Sequence, residues 1–166
     1  MKRLIYLLIL LVGILPSCNN EDTTSPNTSV ANIIAEVTGA VAVKYTGAGV
    51  VTAANLSNAL VLSLGTSAKI DNKKYMLGVY IFFKDFQDKT GVFRFTDREG
   101  VIAGDYAVGT FDVGEGNNKK TFVSDSGQVE ITQLVGTSVR GSFYFRAKEK
   151  TTGEIIEVKN GIIAFP

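Results

Sequence analysis

The 166-residue chain has no histidine, no tryptophan, a single cysteine and three prolines. Without histidine, imidazole-based catalytic triads and Cys/His zinc sites are excluded, and one cysteine cannot form a disulfide within the chain. A charge excess of either sign is also missing, since 17 basic residues face 16 acidic ones. Nucleic acid and strongly anionic surfaces are recognised by clustered positive charge, so this balance argues against them as partners. Along the chain beyond residue 18 the basic residues are scattered, and they are adjacent only at Lys73-Lys74 and Lys119-Lys120. What is left for chemistry is carboxylates, Lys, Tyr, Ser and Thr, a set that suits a glycosidase or a calcium site and few other hydrolases. No catalytic constellation stands out. The expectation is a protein that is not an enzyme and carries no cofactor.

What is present begins with MKRLIYLLILLVGILPSC. Lys2 and Arg3 precede an unbroken apolar run from Leu4 to Leu15. Such a run has the length of a signal-peptide core and is shorter than the roughly 20 residues of a bilayer-spanning helix. The ending LPSC resembles the lipobox of bacterial lipoproteins, with Leu15 three residues before the cysteine and Ser17 immediately before it, although Pro16 departs from the commoner small residue. The resemblance implies cleavage after Ser17 and lipidation of Cys18. Several acyl chains hold a protein on a membrane, whereas one chain binds only marginally. Residues 1–17 are therefore expected to be a signal peptide. Residues 18–29, polar and containing Pro26, are expected to be the lipidated cysteine and a flexible tether. Glu21 and Asp22 resemble the acidic export signal of surface lipoproteins in Bacteroidetes-type bacteria, and exposure on the periplasmic face or on the cell surface stays open.

Residues 30–166 read as strand after strand, with no 3.6-residue periodicity long enough for a helix. In GQVEITQL, Val129 and Ile131 share one face, and Glu130 and Thr132 share the other. In RGSFYFRAK, Phe143, Phe145 and Ala147 are expected to point inward, and Tyr144, Arg146 and Lys148 outward. Turns are expected at TGAG (46–49), KIDNKK, KDFQDKTG, DREG, VGEGNNKK and KTTGE, and a shared Gly-Thr-Ser turn in VLSLGTSA and QLVGTSVRG. At Asn160-Gly161 the apolar phase switches from Ile156 and Val158 to Ile163 and Phe165, which predicts a bulge or a turn. No proline lies between Pro26 and Pro166, so nothing there blocks a ladder hydrogen bond. The fold class is all-β, an antiparallel β-sandwich of roughly eight to ten strands, with a small lipocalin-like β-barrel as the alternative.

The carboxy-terminal half, from Ser126 and Gly127 through Ile131, Thr132, Gly141, Phe143, Phe145 and Ala147 to Asn160, Gly161 and Phe165, resembles an uncharacterised family of small lipoproteins of Bacteroidetes-type bacteria. The segment Ile34 to Ala40 resembles that family's first strand. The shared residues are turn glycines and inward aromatics. The resemblance implies a lipoprotein with a β-domain and no assigned activity.

Three places merit attention as sites. The run YMLGVYIFFKDF is apolar on both faces, with Leu77, Val79, Ile81 and Phe83 on one and Met76, Tyr80 and Phe82 on the other. A strand covered on both sides has this pattern; so does a strand whose Tyr80 and Phe82 form an aromatic platform for a sugar ring. The loop FDVGEGNNKK gathers Asp112, Glu115, Asn117 and Asn118, oxygen donors suited to calcium but without EF-hand spacing, so that a solvated loop is preferred. Asp85, Asp88, Asp97, Glu99 and Asp105 are the acids from which a glycosidase pair would come, but most fall in expected turns.

The reading is a lipoprotein of the cell envelope, anchored through Cys18 to the outer membrane. Its β-domain acts as a non-catalytic binding or structural module for a protein or glycan partner, with the oligomeric state open. The alternatives are a carboxylate-based envelope glycan hydrolase and a lipocalin-like carrier of an apolar ligand, which needs an unfilled interior.

Overall fold

A computed structural model describes residues 28–56, 59–84, 89–97, 104–135 and 138–164. The leader, Cys18 and most of the tether lie outside the described residues, as do Asp85, Asp88, Glu99 and Phe165. The nine strands are β1 (Thr28–Gly39), β2 (Val43–Leu56), β3 (Ala59–Ile70), β4 (Lys73–Phe83), β5 (Gly91–Arg94), β6 (Tyr106–Val113), β7 (Lys120–Val135), β8 (Ser138–Glu149) and β9 (Ile155–Ala164). A single 3-10 turn, Gly116–Asn118, precedes β7.

The all-β antiparallel expectation holds, but the strands form the barrel and not the favoured sandwich. Strands β1, β2, β3, β4, β6, β7, β8 and β9 pair in that order, and β9 returns to β1 to close the ring. Each strand lies beside its neighbour in sequence, apart from the excursion through β5. Strand alternation is the same in a sandwich and a barrel, so the decision rests on length and curl. The long strands run to 16 residues in β7, and bulges that sharpen twist let such ribbons bend until they meet. One bulge sits at the predicted place: Asn160 has φ 52°, and the β8–β9 and β1–β9 registers both shift beside it. Ile156 and Val158 point inward before it, and Gly161 and Ile163 after it. A second shift lies at Asp125, after which Val129 and Ile131 take over the inward row from Phe122 and Ser124.

At that second bulge β6 and β7 part. β6 pairs with β7 only over Thr110–Val113, and β5 takes the same edge of β7 over Gln128–Ile131. Ser124, fully buried, bridges the gap: its hydroxyl accepts the Gly109 amide at 2.9 Å and donates to the Thr96 carbonyl at 2.9 Å.

Two expected turns are strand interior. Thr46–Gly49 lies within β2 and Gly65-Thr66-Ser67 within β3. The glycines in β2 answer to crowding inside the barrel: a Cβ on Gly47 would meet the Thr66 hydroxyl, and one on Gly49 the carbonyl oxygen of Gly65. Glycine in a strand marks a close approach as readily as a turn. The true β1–β2 turn follows Gly39, whose φ is 104°. The β3–β4 hairpin turns on Asp71 and Asn72, both at positive φ (49° and 61°), the two-residue geometry that matches strand twist.

Eight strands enclose a space that side chains just fill. Phe111 stacks on Tyr75 at 5.8 Å and meets Tyr45 edge-on at 6.1 Å; Phe83 meets Phe93 edge-on at 5.2 Å, and Phe145 contacts Phe95 at 5.0 Å. Leu62, Leu64, Leu77, Val79 and Ile81 complete this interior. Phe143, Phe145 and Ala147 face in and Tyr144 faces out, as the alternation indicated. Burying each large side chain contributes about 1.5–3 kcal/mol.

Candidate functional site

With the interior occupied, the chemistry-bearing surface is the outer wall, and β4 sets its character. The wall of β2, β3, β4 and β6 is built in cross-strand rows. One outward row runs Val50, Gly65, Gly78, Thr110, and the rows flanking it carry Ser67, Met76 and Asp112 on one side and Ser63, Tyr80 and Val108 on the other. Gly65 leaves the pleat bare, whereas Gly78 beside it is buried under Tyr80 and Thr110. Beside them is a groove of about 250 Å³ with Val50, Met76, Tyr80, Thr110 and Asp112 in its lining. A Cβ on Gly65 would meet nothing within 4 Å, so the groove is open above that residue.

Tyr80 and Phe82 both point outward from β4 and are half-buried. The two-sided apolarity of the strand thus divides into a core face, Leu77, Val79, Ile81 and Phe83, and an aromatic strip on the outer wall. Phe82 stacks on Tyr106, its register partner on β6, with centroids 4.6 Å apart and planes 9° from parallel. The strip also has an aromatic member that the run in β4 could not reveal: Tyr106 lies 24 positions away, and only the β4–β6 register brings it alongside.

Asp112 closes one end of the groove. Its Oδ2 accepts from the Lys119 ammonium at 2.9 Å, while Oδ1 is buried and accepts no hydrogen bond from the described residues. A buried carboxylate oxygen without a donor carries a desolvation cost. The calcium cluster drawn from this loop does not assemble: Glu115 pairs with Lys74 at 3.2 Å while Asp112 holds Lys119. Among the described residues no three acidic, cysteine or histidine side chains gather as a metal site would need. Of the acids considered for hydrolysis, Asp105 accepts the Lys84 amide at 2.9 Å and pairs with Lys89 at 3.2 Å. Asp97 is also engaged.

A depression of about 630 Å³ lies on the opposite wall over β7, β8 and β9, beside the exposed Tyr144. Charges in its lining pair with one another: Arg146 binds Asp125 at 2.6 Å, and Lys159 binds Glu157 at 2.5 Å. The hydrogen bond and charge of Lys159 hold the Glu157 carboxyl below its usual range.

The lysines, scattered in sequence, are gathered by the topology. Lys44 starts β2, Lys69 ends β3, Lys73 and Lys74 start β4, Lys119 and Lys120 lead into β7, and Lys148 and Lys150 end β8. All eight lie toward the barrel end opposite the start of β1, Lys159 on β9 stands level with Lys44 across Glu36, and of the lysines beyond Cys18 only Lys84 and Lys89 lie at the other end. A depression of about 490 Å³ at this end is lined by Ser67, Lys69, Asn72, Lys73, Lys74 and Glu115, among others.

No family model matches the chain, and neither a curated protein nor a solved structure shows significant similarity to it.

Proposed function

We propose that the chain is a lipoprotein of the bacterial outer membrane, anchored through Cys18 and akin to the small lipoproteins its carboxy-terminal half resembles, and that its barrel is a non-catalytic module binding saccharide on its outer wall. The observation that carries the binding reading is the groove over Gly65. There an aromatic ring (Tyr80), a thioether (Met76), a hydroxyl (Thr110) and the carboxylate of Asp112 line a hollow over bare backbone. Sugar rings offer an apolar C–H face and hydroxyl donors, which these groups complement. The leader, the LPSC sequence and the polar segment after Cys18 support the anchored location. The interior packed with Phe83, Phe111, Phe122 and Phe145 favours this reading over a carrier of apolar ligands, which needs internal space. The engagement of Asp97, Asp105 and Asp112 with other groups favours it over a carboxylate hydrolase, whose two acids must face one substrate.

Two measurements test the proposal. Growth with an alkyne fatty acid should label the wild-type protein and not Cys18→Ala; equal labelling of the two removes the anchor. Affinity electrophoresis through dextran should retard the wild type more than a Tyr80→Ala, Asp112→Asn double variant; equal mobility removes the groove.

A further inference from the structure

The groove over Gly65 does not stop at Met76. Ser67 lines both this groove and the lysine-lined depression beyond it, so the two form one track along the outer wall of β3 and β4 toward the far end of the barrel. Along that track the surface changes from aromatic and hydroxylic to cationic.

The cationic end is held at a cost. Lys69 and Lys74 are directly opposite in the β3–β4 ladder and both project outward, a like-charge placement that destabilises a strand pair. Lys73 follows at the hairpin turn on the alternate face of β4, and it lines the same depression. Glu115 offsets one charge through Lys74 at 3.2 Å. Lys69 and Lys73 form no ion pair among the described residues, in contrast to Lys119 and Lys120, which bind Asp112 and Glu154. Two ammonium groups without an ion pair, with Asp71 in the turn between them, stand beside a concave space of about 490 Å³ that Ser67 and Asn72 also line, and together they form a receptor for an anionic group. The concavity suits a carboxylate or phosphate ester on a chain-like ligand better than the plane of a bilayer.

We infer that the saccharide bound along the outer wall is an anionic one, whose rings lie over Gly65 beside Tyr80 and whose carboxylate or phosphate is held by Lys69, Lys73 and Lys74. This rests on the saccharide reading proposed above and specifies its ligand class. The ammonium of Lys69 and that of Lys73 each donate to anionic oxygens, and Lys74 is shared between the ligand and Glu115. The arrangement requires binding to weaken as salt rises, because exposed charges are screened over roughly 10 Å at 0.1 M ionic strength.

The test uses one polymer backbone in three forms, neutral dextran, carboxymethyl-dextran and dextran phosphate, titrated into the purified barrel protein by calorimetry at low and at physiological salt. The wild type should bind at least one charged form about tenfold more tightly than the neutral one, the scale of one charged hydrogen-bonded contact. The Lys69→Ala, Lys73→Ala variant should lose that preference and its salt dependence while keeping the neutral affinity, and Lys120→Ala should behave as wild type. The better of the two charged polymers identifies the anion. Equal affinity of wild type and the Lys69, Lys73 variant for all three polymers would overturn the charge assignment and leave the saccharide reading standing. Binding to none of the three overturns both. Binding to phosphatidylglycerol vesicles but to no polymer would replace the glycan with a membrane surface.

Discussion

The ring of Tyr80 lies over the bare backbone of Gly78, two residues before it on the outer face of β4. A Cβ on residue 78 would stand 2.9 Å from Tyr80 Cε2 and 3.0 Å from its hydroxyl oxygen. The tyrosine substitutes for the side chain the glycine does not have. It shields the ladder and lines the groove.

This double duty sets an expected scale. Tyr80→Ala uncovers a half-buried ring and should lower stability by about 1–2 kcal/mol, less than a fully buried aromatic contributes. Phe111→Ala, in the interior against Tyr45 and Tyr75, should cost about 3–5 kcal/mol because it opens a cavity. Urea denaturation of both variants checks the contrast, and similar losses would mean that Tyr80 is packed as core.

Ser124 holds β6 and the segment at Thr96 together across the gap in the ladder. Ser124→Ala leaves a buried amide at Gly109 and the Thr96 carbonyl without that partner, and a loss of about 1–3 kcal/mol is expected. Hydrogen exchange should quicken first at Gly109; unchanged protection there would show that the strands hold without the bridge.

Tyr45 supplies a pH signature. Burial, opposed in part by the hydrogen bond its hydroxyl makes with Thr66 at 3.2 Å, raises its phenol above the usual value of 10.0. The folded state keeps the proton longer than the unfolded chain. The resulting contribution is whole below pH 10 and is lost as the pH climbs from there through the folded pKa. Tyr45→Phe should cost about 1 kcal/mol at neutral pH for the lost hydrogen bond, and its stability should fall less steeply above pH 10. Parallel alkaline profiles for the two proteins would count against a buried phenol.

Glu149 gives the opposite slope. Its carboxylate accepts the Thr152 amide in the β8–β9 turn, and this bond above all lowers its pKa below 4.5. Its contribution is present above the unfolded value and disappears as the pH falls through the folded one. Glu149→Gln should therefore flatten the acid limb of stability against pH between those two values, measured by thermal melts from pH 6 downward. An unchanged limb would show the turn to be held by its backbone alone.

Much of this architecture was legible in short alternations. Phe143, Phe145 and Ala147 faced the interior as their spacing required, and the phase switch at Asn160 marked a real bulge. Other features were hidden for physical reasons. Gly47 and Gly65 resembled turn residues, because a glycine that admits a neighbouring side chain, as Gly47 does, or leaves the outer wall open, as Gly65 does, looks the same along a single strand as one that reverses the chain. Sandwich and barrel share one alternation, and only the β9–β1 pairing separates them. For the site, Tyr80 and Phe82 could be singled out within β4, but Tyr106, Asp112 and the facing of Lys69 on Lys74 are products of register. Scattered lysines became a cluster only when alternating strands returned their ends to the same rim.

The closed ladder also governs how other molecules can engage the protein. In an open sheet the outermost strands offer a row of free amides and carbonyls on which a foreign strand can template itself, the route to fibrils and to strand-donating complexes. Here each long strand has a neighbour on either side over part of its length, and the unpaired stretches, such as Val43–Ala48 of β2 beside β3, are short. A visitor is recognised mainly through protruding side chains, and the same feature should hinder a crowded array of these molecules from polymerising.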